Sequence, residues 1–179
     1  LFCDLRGFTR TSELSSNDLM ELLKTTSQSL SVMTRQVLDH QGVIGDFHGD
    51  TVMGFWGWPV SQAIRVSAVQ ACQTALEITR VFQQHSPVQQ ATLGIASRLA
   101  VAGKIGSDDQ VKVSVLGPVV NLAARLESMN RQFGTTILID QATAQLIQSS
   151  ELELNTVKLA TVQPYGMDSH ADVFLLLRT

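Results

Sequence analysis

The chain has 179 residues, of which 44% are hydrophobic and 16% are charged, and its formal net charge is −3. This length and composition are typical of one globular domain with a full core. The acidic balance argues against a domain that grips a long nucleic-acid backbone through a basic face, so we expect no nucleic-acid partner. A small polyanionic ligand held together with metal ions is compatible with this charge.

The cysteine content and the apolar runs bear on the cellular setting. Cys3 and Cys72 are too few for a disulfide framework, and both lie in apolar patterns, so we expect a reducing, cytoplasmic environment. No apolar run approaches the roughly 18–20 residues of a membrane helix, and we expect no membrane contact by this segment. Because LFCDL reads as a strand already under way, we expect residues 1–179 to be a single domain of a longer protein, which elsewhere could be attached to a membrane.

The first half of the chain is predicted to fold as a strand, a helix, a hairpin and a second helix. Residues 1–5 form a short apolar strand, and the loop RGFTRTSELSS follows it. The first helix ends at about His40, and its apolar face is formed by Leu19, Leu22, Leu23, Leu30, Met33 and Val37. The segment GVIGDFHGDTVMGFWG predicts two strands joined by a turn at residues 48–50. The second helix begins at Pro59 and ends at about Gln84. Its apolar face is a stripe of Val66, Val69, Cys72 and Leu76.

The second half of the chain predicts strands around one prominent helix. QATLGIASRLAVAGKIG is a strand region broken by glycines, and VKVSVLG is the next strand. Gly117 and Pro118 end that strand and open a helix with the sequence VVNLAARLESMNRQFG, which stops at Gly134. The strand TTILID, the short helix QATAQLIQ and strand-like runs at 152–159 and 171–177 complete the chain. This alternation predicts one α/β domain around a single sheet.

Asp4 and Asp50 are the first candidates for chemistry. Asp4 ends the first strand, Asp50 lies in the hairpin turn, and adjacent strands of one sheet would bring the two carboxylates together. Converging carboxylates suit hard cations such as Mg²⁺, which prefer oxygen ligands. Two such ions could activate a hydroxyl group in a phosphoryl displacement. Acids in turns also commonly cap backbone groups or face solvent, so the pair alone leaves both interpretations open.

The loop RGFT is the second candidate. Arg6, Gly7, Phe8 and Thr9 join a strand to a helix, and backbone N–H groups at such a junction can seat a phosphate group. A plain connecting loop is the alternative.

The helix that contains VVNLAARLE is the third candidate. Asn121 and Arg125 are four residues apart and share one helix face, which is otherwise alanine and leucine. An arginine can stabilise charge on a transferring phosphate group, and an asparagine can orient a ribose or a nucleophile. Alternatively, Arg125 pairs with a nearby acid such as Glu127 or lies on the helix surface.

Three segments together carry a resemblance to a known family. FCDLRGFTRTSE, HGDTVMGFWGWP and LGPVVNLAARLE occur in the order and spacing of the class III nucleotidyl cyclase catalytic domain, the adenylate and guanylate cyclase family. The resemblance extends from Leu1 to about Leu177. Since three motifs in order are far more specific than any one of them, the chain is identified as a member of this family.

The resemblance implies a reaction, a fold and an assembly. Such domains convert a nucleoside triphosphate to a 3′,5′-cyclic monophosphate and pyrophosphate, on an antiparallel-rich α+β sandwich with a ferredoxin-like βαββαβ core. They act as head-to-tail dimers, and the sites lie at the interface. One subunit supplies two acids, matched here by Asp4 and Asp50, which bind two Mg²⁺ or Mn²⁺ ions per site. The other supplies residues matched by Asn121 and Arg125, which position the ribose and stabilise transition-state charge.

Two further positions determine which nucleotide base is bound in this family, and they are matched here by Asp46 and Ser114. Adenylate cyclases usually carry Lys at the first and Asp or Thr at the second, whereas guanylate cyclases usually carry Glu and often Cys. An ionised Asp46 has no donor for adenine N1, but it can accept from guanine N1 and the 2-amino group, and Ser114 can donate to O6. Asp46 and Ser114 together therefore favour guanine over adenine. Because Asp is a methylene shorter than Glu, ATP and GTP both stay candidates.

Two departures from the family pattern leave another interpretation open. A basic residue near a late KG segment usually helps to hold the triphosphate, and here NTVKLATVQPYG offers only Lys158 as an imperfect substitute. Arg98 replaces a glycine in the segment Ala96-Ser97-Arg98, where it could contact phosphate or fill space. The alternative is a catalytically weak or silent cyclase-homology domain that dimerises or senses nucleotides. A diguanylate cyclase is disfavoured, because the turn HGDTV lacks that family's second acid and aromatic residue.

Overall fold

The computed structural model describes residues 1–7, 19–85, 90–107, 109–148, 150 and 154–178. The strands are β1 (Phe2–Arg6), β2 (Val43–His48), β3 (Thr51–Phe55), β4 (Gln90–Ile95), β5 (Val101–Gly106), β6 (Val111–Leu116), β7 (Ile137–Asp140), β8 (Leu154–Val162) and β9 (Ala171–Arg178). The helices are α1 (Leu19–Asp39), α2 (Ile64–His85), α3 (Pro118–Phe133) and α4 (Gln141–Gln148). Within the described ranges, none of these helices is both long enough and apolar enough to cross a bilayer.

A seven-stranded sheet organises the molecule, with the strand order β2-β3-β1-β4-β7-β9-β8. Strand β1 lies antiparallel between β3 and β4, and β2 pairs antiparallel with β3. The first six elements therefore form a βαββαβ unit of the ferredoxin-like kind, and the parallel pair β4–β7 extends it. The predicted α+β fold with this core is confirmed.

The expectation of a single sheet is wrong for β5 and β6, which pair with each other in a separate two-stranded hairpin. The chain leaves the main sheet after Ile95. The reason lies at Ser97, whose backbone N–H donates to the carboxylate of Asp140 at 3.3 Å instead of joining a strand ladder. The hairpin is thereby free to project beside the sheet, where β6 approaches β2.

The two faces of the sheet carry different helices. On one face, Cys3, Leu93 and Ile139 belong to a core shared with α1, α2 and α4. On the other face, Leu122 and Leu126 of α3 pack against the sheet in a second cluster. Because side chains alternate along a strand, Asp4, which pairs with Thr92 across the β1–β4 ladder, points to the face covered by α3.

The apolar faces of the two long helices differ from the predicted stripes. In α1, Leu19 and Leu23 are more than half exposed, while Met33 and Val37 are fully buried. In α2, which begins at Ile64 and not at Pro59, Val66 is 46% exposed. The buried positions of α2 are Ala68, Ala71, Cys72, Thr74, Ala75, Ile78 and Phe82. Small alanine side chains let α2 lie close to the sheet, and a stripe drawn through its larger residues misses this face.

Helix α3 is held against β4 by a close backbone approach at Gly94. A Cβ atom there would lie 2.2 Å from the carbonyl oxygen of Ala123 and 2.2 Å from the backbone nitrogen of Glu127. Further along the helix, the fully buried side chain of Asn130 donates to the carbonyl of Leu93 at 2.9 Å. These contacts fix the position of α3 on the sheet, and with it the positions of the candidate site residues that α3 carries.

Replacing Gly94 with alanine is expected to destabilise the fold, because the new methyl group meets helix backbone that no side-chain rotation can move. Overpacking of this kind costs about 3 kcal/mol, and for a chain of this size that lowers the melting temperature by roughly 6–12 °C. Thermal unfolding followed by circular dichroism measures the change. Gly103→Ala is the matched control, since a Cβ at Gly103 meets no atom within 4 Å. Equal melting temperatures for the two variants would contradict the packing described for α3.

Candidate active site

Asp4 and Asp50 come together where β1 and β3 lie side by side. The hydroxyl group of Thr51, the residue after Asp50, donates to Asp4 Oδ1 at 2.6 Å. Gly49 adopts a φ of 60° in the turn before Asp50, a conformation that favours glycine. Asp50 is half-buried, and its burial together with the negative charge of Asp4 raises the pKa of its carboxyl group. The two predicted acids therefore form one site and interact electrostatically.

Glu127 is a third acid that the sequence reasoning did not place in this region. It accepts a hydrogen bond of 2.8 Å from the hydroxyl group of Thr92, the residue opposite Asp4 in the ladder. Burial raises the pKa of Glu127, and the charges of Asp4 and Asp50 raise it further. In the described part of the chain, no three His, Cys, Asp or Glu side chains are grouped to hold one ion. A charged residue on the inner face of a helix was the sequence signal that could have revealed Glu127.

The donor set of this site fits a hard divalent cation. Asp4 and Asp50 offer carboxylate oxygens only, and Mg²⁺ is commonly bound through one or two carboxylates, with water and substrate phosphates as its other ligands. Burial and, to a smaller extent, repulsion by Asp4 raise the pKa of Asp50, and a cation between the carboxylates would relieve both effects. Asp4 and Asp50 are therefore the residues that would hold such ions.

The predicted phosphate loop begins next to these acids. Arg6 and Gly7 are exposed at the end of β1, and Gly7 has a φ of 80° that turns the chain away from the strand. Phe8 and Thr9 lie outside the described residues. A phosphate seat at this loop stays a prediction, and Arg6 and Gly7 are the two members whose positions near Asp4 are known.

Asn121 and Arg125 are exposed on α3 and do not face the acids of their own chain. At 3.6 residues per turn, Arg125 and Glu127 lie about 200° apart around the helix axis. Glu127 points inwards to Thr92, so Arg125 points outwards, where its guanidinium carbon lies 5.4 Å from the ring centre of Tyr165. The alternative pairing of Arg125 with Glu127 does not occur, because the two side chains leave opposite sides of the helix.

Asp46 meets a residue that the sequence reasoning did not single out. Lys112 Nζ lies 2.5 Å from Asp46 Oδ2, and the backbone N–H of Phe47 donates to Asp46 Oδ1 at 2.9 Å. The hydrogen bond from Lys112 is the largest of the effects that hold the pKa of Asp46 below its ordinary value. Lys112 and the buried Ser114 are two residues apart on β6 and share a face of that strand, so Lys112 links the strand that carries Ser114 to Asp46.

The two substituted basic positions have partners of their own. Lys158 Nζ lies 2.6 Å from Asp172 Oδ2 on the neighbouring strand β9. Arg98 Nη2 lies 3.8 Å from the buried carboxylate of Asp140, and the Arg98 side chain is 60% exposed. Arg98 therefore does not fill space in the core. The ion pair with Asp172 occupies Lys158, which weakens it as a substitute for the late phosphate-binding residue.

A cavity of about 340 Å³ lies between the sheet, β6 and α3. Its lining is largely apolar and includes Met53, Phe55, Trp58, Val115 and Val120. Among the described residues that line it there is neither of the two acids, and neither Asn121 nor Arg125. The acids and the exposed residues of α3 therefore do not share this cavity.

Comparisons with known proteins agree with the fold and the motifs. The family profile described as adenylate and guanylate cyclase catalytic domain matches residues 1–176. Adenylate cyclase 1 of Rhizobium meliloti (strain 1021) is 28% identical over an alignment of 182 positions, and this alignment covers 97% of this chain and 26% of that protein. The chain thus spans about a quarter of the length of this relative.

Two solved structures share the architecture over nearly the whole chain. The adenylyl cyclase CyaB from P. aeruginosa superposes with a TM-score of 0.85 at 26% identity, covering 99% of this chain and 92% of that one. The guanylyl cyclase Cya2 superposes with a TM-score of 0.79 at 28% identity, covering 99% and 90%. The profile match over residues 1–176 confirms what the three motifs predicted: the chain belongs to the adenylate and guanylate cyclase catalytic domain family, a family of cyclase enzymes.

Proposed function

We propose that this chain is an active nucleotidyl cyclase domain that converts ATP or GTP to the 3′,5′-cyclic monophosphate and pyrophosphate in cyclic-nucleotide signalling. The observation that carries the proposal is the coupled carboxylate pair of Asp4 and Asp50 between β1 and β3. Asn121 and Arg125 on α3 complete the set of residues that the chemistry requires. The two buried, unpaired thiols of Cys3 and Cys72 support a reducing cytoplasmic setting.

The proposed reaction is an in-line displacement within one nucleotide. The 3′-oxygen releases its proton to solvent water and bonds to the α-phosphorus, while the bond from that phosphorus to the pyrophosphate oxygen breaks and pyrophosphate leaves. Asp4 and Asp50 would hold two Mg²⁺ or Mn²⁺ ions, which would supply Lewis acidity to the hydroxyl and the phosphates. Arg125 stabilises the charge that develops on the phosphoryl oxygens, and Asn121 holds the ribose in the attacking orientation. The loop from Arg6 to Thr9 seats phosphate through backbone N–H groups.

The site is proposed to be shared between two copies of the chain in a head-to-tail homodimer. Arg125 points away from the acids of its own chain, so it reaches a bound nucleotide only on a second copy. A twofold arrangement would then make two equivalent sites. The hairpin of β5 and β6 and the segment before it support assembly through exposed apolar side chains, namely Leu99, Val101, Ile105, Val111 and Leu116.

The base pocket is proposed to favour guanine. The hydrogen bond from Lys112 keeps Asp46 ionised, which makes its carboxylate purely an acceptor. Such a group matches the two adjacent donors of guanine, at N1 and the 2-amino group, and repels the N1 acceptor of adenine. The hydroxyl of Ser114 or a free donor of Lys112 can serve guanine O6. The relatives include both adenylate and guanylyl cyclases, so this choice depends on the pocket alone.

A charge swap tests the base preference. In the double variant Asp46→Lys with Lys112→Asp, the ion pair is kept while the donor and acceptor exchange places. We expect wild type to give a higher kcat/KM with GTP, and the swap to move the GTP-to-ATP ratio towards ATP by at least about tenfold, the effect of 1.4 kcal/mol. Asp46→Asn with Lys112→Gln is the control, because it removes both charges without reversing them. An unchanged ratio in the swap would place Asp46 outside the pocket.

The activity itself is tested on purified domain supplied with ATP or GTP and with Mg²⁺ or Mn²⁺. The assay quantifies both cyclic nucleotides and pyrophosphate. We expect metal-dependent formation of cyclic nucleotide that chelation of the metal abolishes. If no product forms from either nucleotide, while nucleotide still binds, the silent cyclase-homology domain is the correct interpretation.

A further inference from the structure

We infer that Tyr165, in the turn between β8 and β9, is a positioning residue that holds the Arg125 guanidinium for the reaction. The inference deepens the proposed function and rests on it. Tyr165 is the only tyrosine of the chain. Its side chain is 85% exposed, so no demand of the core explains an aromatic residue there.

The contact between the two side chains is a cation–π stack. The guanidinium carbon of Arg125 lies 5.4 Å from the centre of the Tyr165 ring, within the roughly 6 Å at which such attraction is significant. At the next residue, a Cβ on Gly166 would lie 3.9 Å from Arg125 Nη2, so the guanidinium also lies over the backbone of the turn. Arg125 is therefore bounded by the ring and by the turn.

The turn that carries Tyr165 is itself fixed. The backbone N–H of Met167 donates to the carbonyl of Pro164 at 3.0 Å, which closes a β-turn. Gly166 has a φ of 75°, the conformation that this position requires in a type II turn. Pro164 is buried, and Met167 packs against the cluster formed by Leu122 and Leu126 of α3.

Arg125 and Tyr165, the two partners of the stack, are thus attached to the same packed part of the fold. The cluster of Leu122 and Leu126 belongs to the same helix that carries Arg125, and it also supports the turn through Met167. Arginine loses much side-chain freedom when it is ordered. A ring that restrains the guanidinium before the nucleotide arrives reduces this loss at the moment of reaction, as preorganised groups do. Tyr165 then raises kcat without contacting the substrate.

The experiment compares Tyr165→Ala and Tyr165→Phe in wild type and in the Arg125→Ala background. Removing the ring is expected to lower kcat by about two- to fivefold, the effect of one exposed cation–π contact, with an unchanged KM for the nucleotide. Tyr165→Phe keeps the ring and should restore kcat. In the Arg125→Ala background, Tyr165→Ala should cause no further loss, because its partner is absent. Val60→Ala controls for the removal of an exposed apolar side chain, since Val60 is 79% exposed.

Three results would overturn the inference. The first is an undiminished kcat in Tyr165→Ala. The second is a loss that multiplies with that of Arg125→Ala, which would make the two residues independent. The third is a defect in Tyr165→Phe as large as that in Tyr165→Ala, which would assign the role to the phenol hydroxyl group and not to the ring.

A second readout separates this inference from the proposed activity. The side-chain protons of Arg125 lie near an aromatic ring, so their NMR signals should carry a ring-current shift that Tyr165→Ala removes and Tyr165→Phe keeps. If wild type shows this shift but makes no cyclic nucleotide, the proposed function fails while the stack stands. If the domain is active but the shift is absent, the stack fails while the function stands.

Discussion

Replacing Asp50 with asparagine is expected to lower kcat about a hundredfold or more, while the melting temperature does not fall. Metal-assisted stabilisation of transition-state charge is worth several kcal/mol, and each 1.36 kcal/mol is a factor of ten in rate. Asparagine keeps the shape of the side chain but removes the charge that is proposed to hold the cation. Because burial and Asp4 raise the pKa of Asp50, its ionised form opposes folding, and the neutral amide relieves that repulsion.

The measurement combines steady-state kinetics at saturating Mn²⁺ with thermal unfolding in the absence of metal. Asp39→Asn is the matched control, since Asp39 is an exposed acid at the end of α1. An active Asp50→Asn variant would remove Asp50 from the metal site. A melting temperature that drops together with the activity would mean that Asp50 acts on folding, and the chemical role assigned to it would be wrong.

Replacing Arg125 with alanine is expected to lower kcat by about 10²–10³-fold, the usual cost of removing one group that stabilises developing charge. The KM for the nucleotide should change far less, because the guanidinium acts on charge that appears only in the transition state. Arg125 is exposed, so the fold should be unaffected. Kinetics over a nucleotide series separates kcat from KM. A pure rise in KM would make Arg125 a ground-state binding residue instead.

The order of elements and the family could be predicted because they depend on local patterns. Periodicity and glycine stops were sufficient for the order of the elements, and three motifs in a fixed order carried the family resemblance that implied the βαββαβ core. The hairpin was not predicted, since its departure from the sheet depends on a hydrogen bond between Ser97 and Asp140. That bond joins residues far apart in the chain, which no local pattern encodes.

The candidate site, like the fold, could be predicted from the sequence only in part. Asp4 and Asp50 were found because adjacent strands were predicted to meet, and Thr51, the residue after Asp50, donates a hydrogen bond to Asp4. Lys112 was missed because its importance arises only when β6 approaches β2 and brings it to Asp46. Tyr165 was missed because a turn residue shows no periodicity, and its partner Arg125 lies on an element earlier in the chain.

The central claim is that two copies of the chain share each site, and mixing two inactive variants tests it most directly. Asp50→Asn and Arg125→Ala are purified separately, mixed in equal amounts, allowed to exchange subunits and assayed. In a mixed dimer one site combines the intact acids of one copy with the intact Arg125 of the other. With random exchange, half of the dimers are mixed and each has one of two sites intact, so about a quarter of wild-type activity should return. A mixture as inactive as its components, with subunit exchange verified, would contradict the shared site.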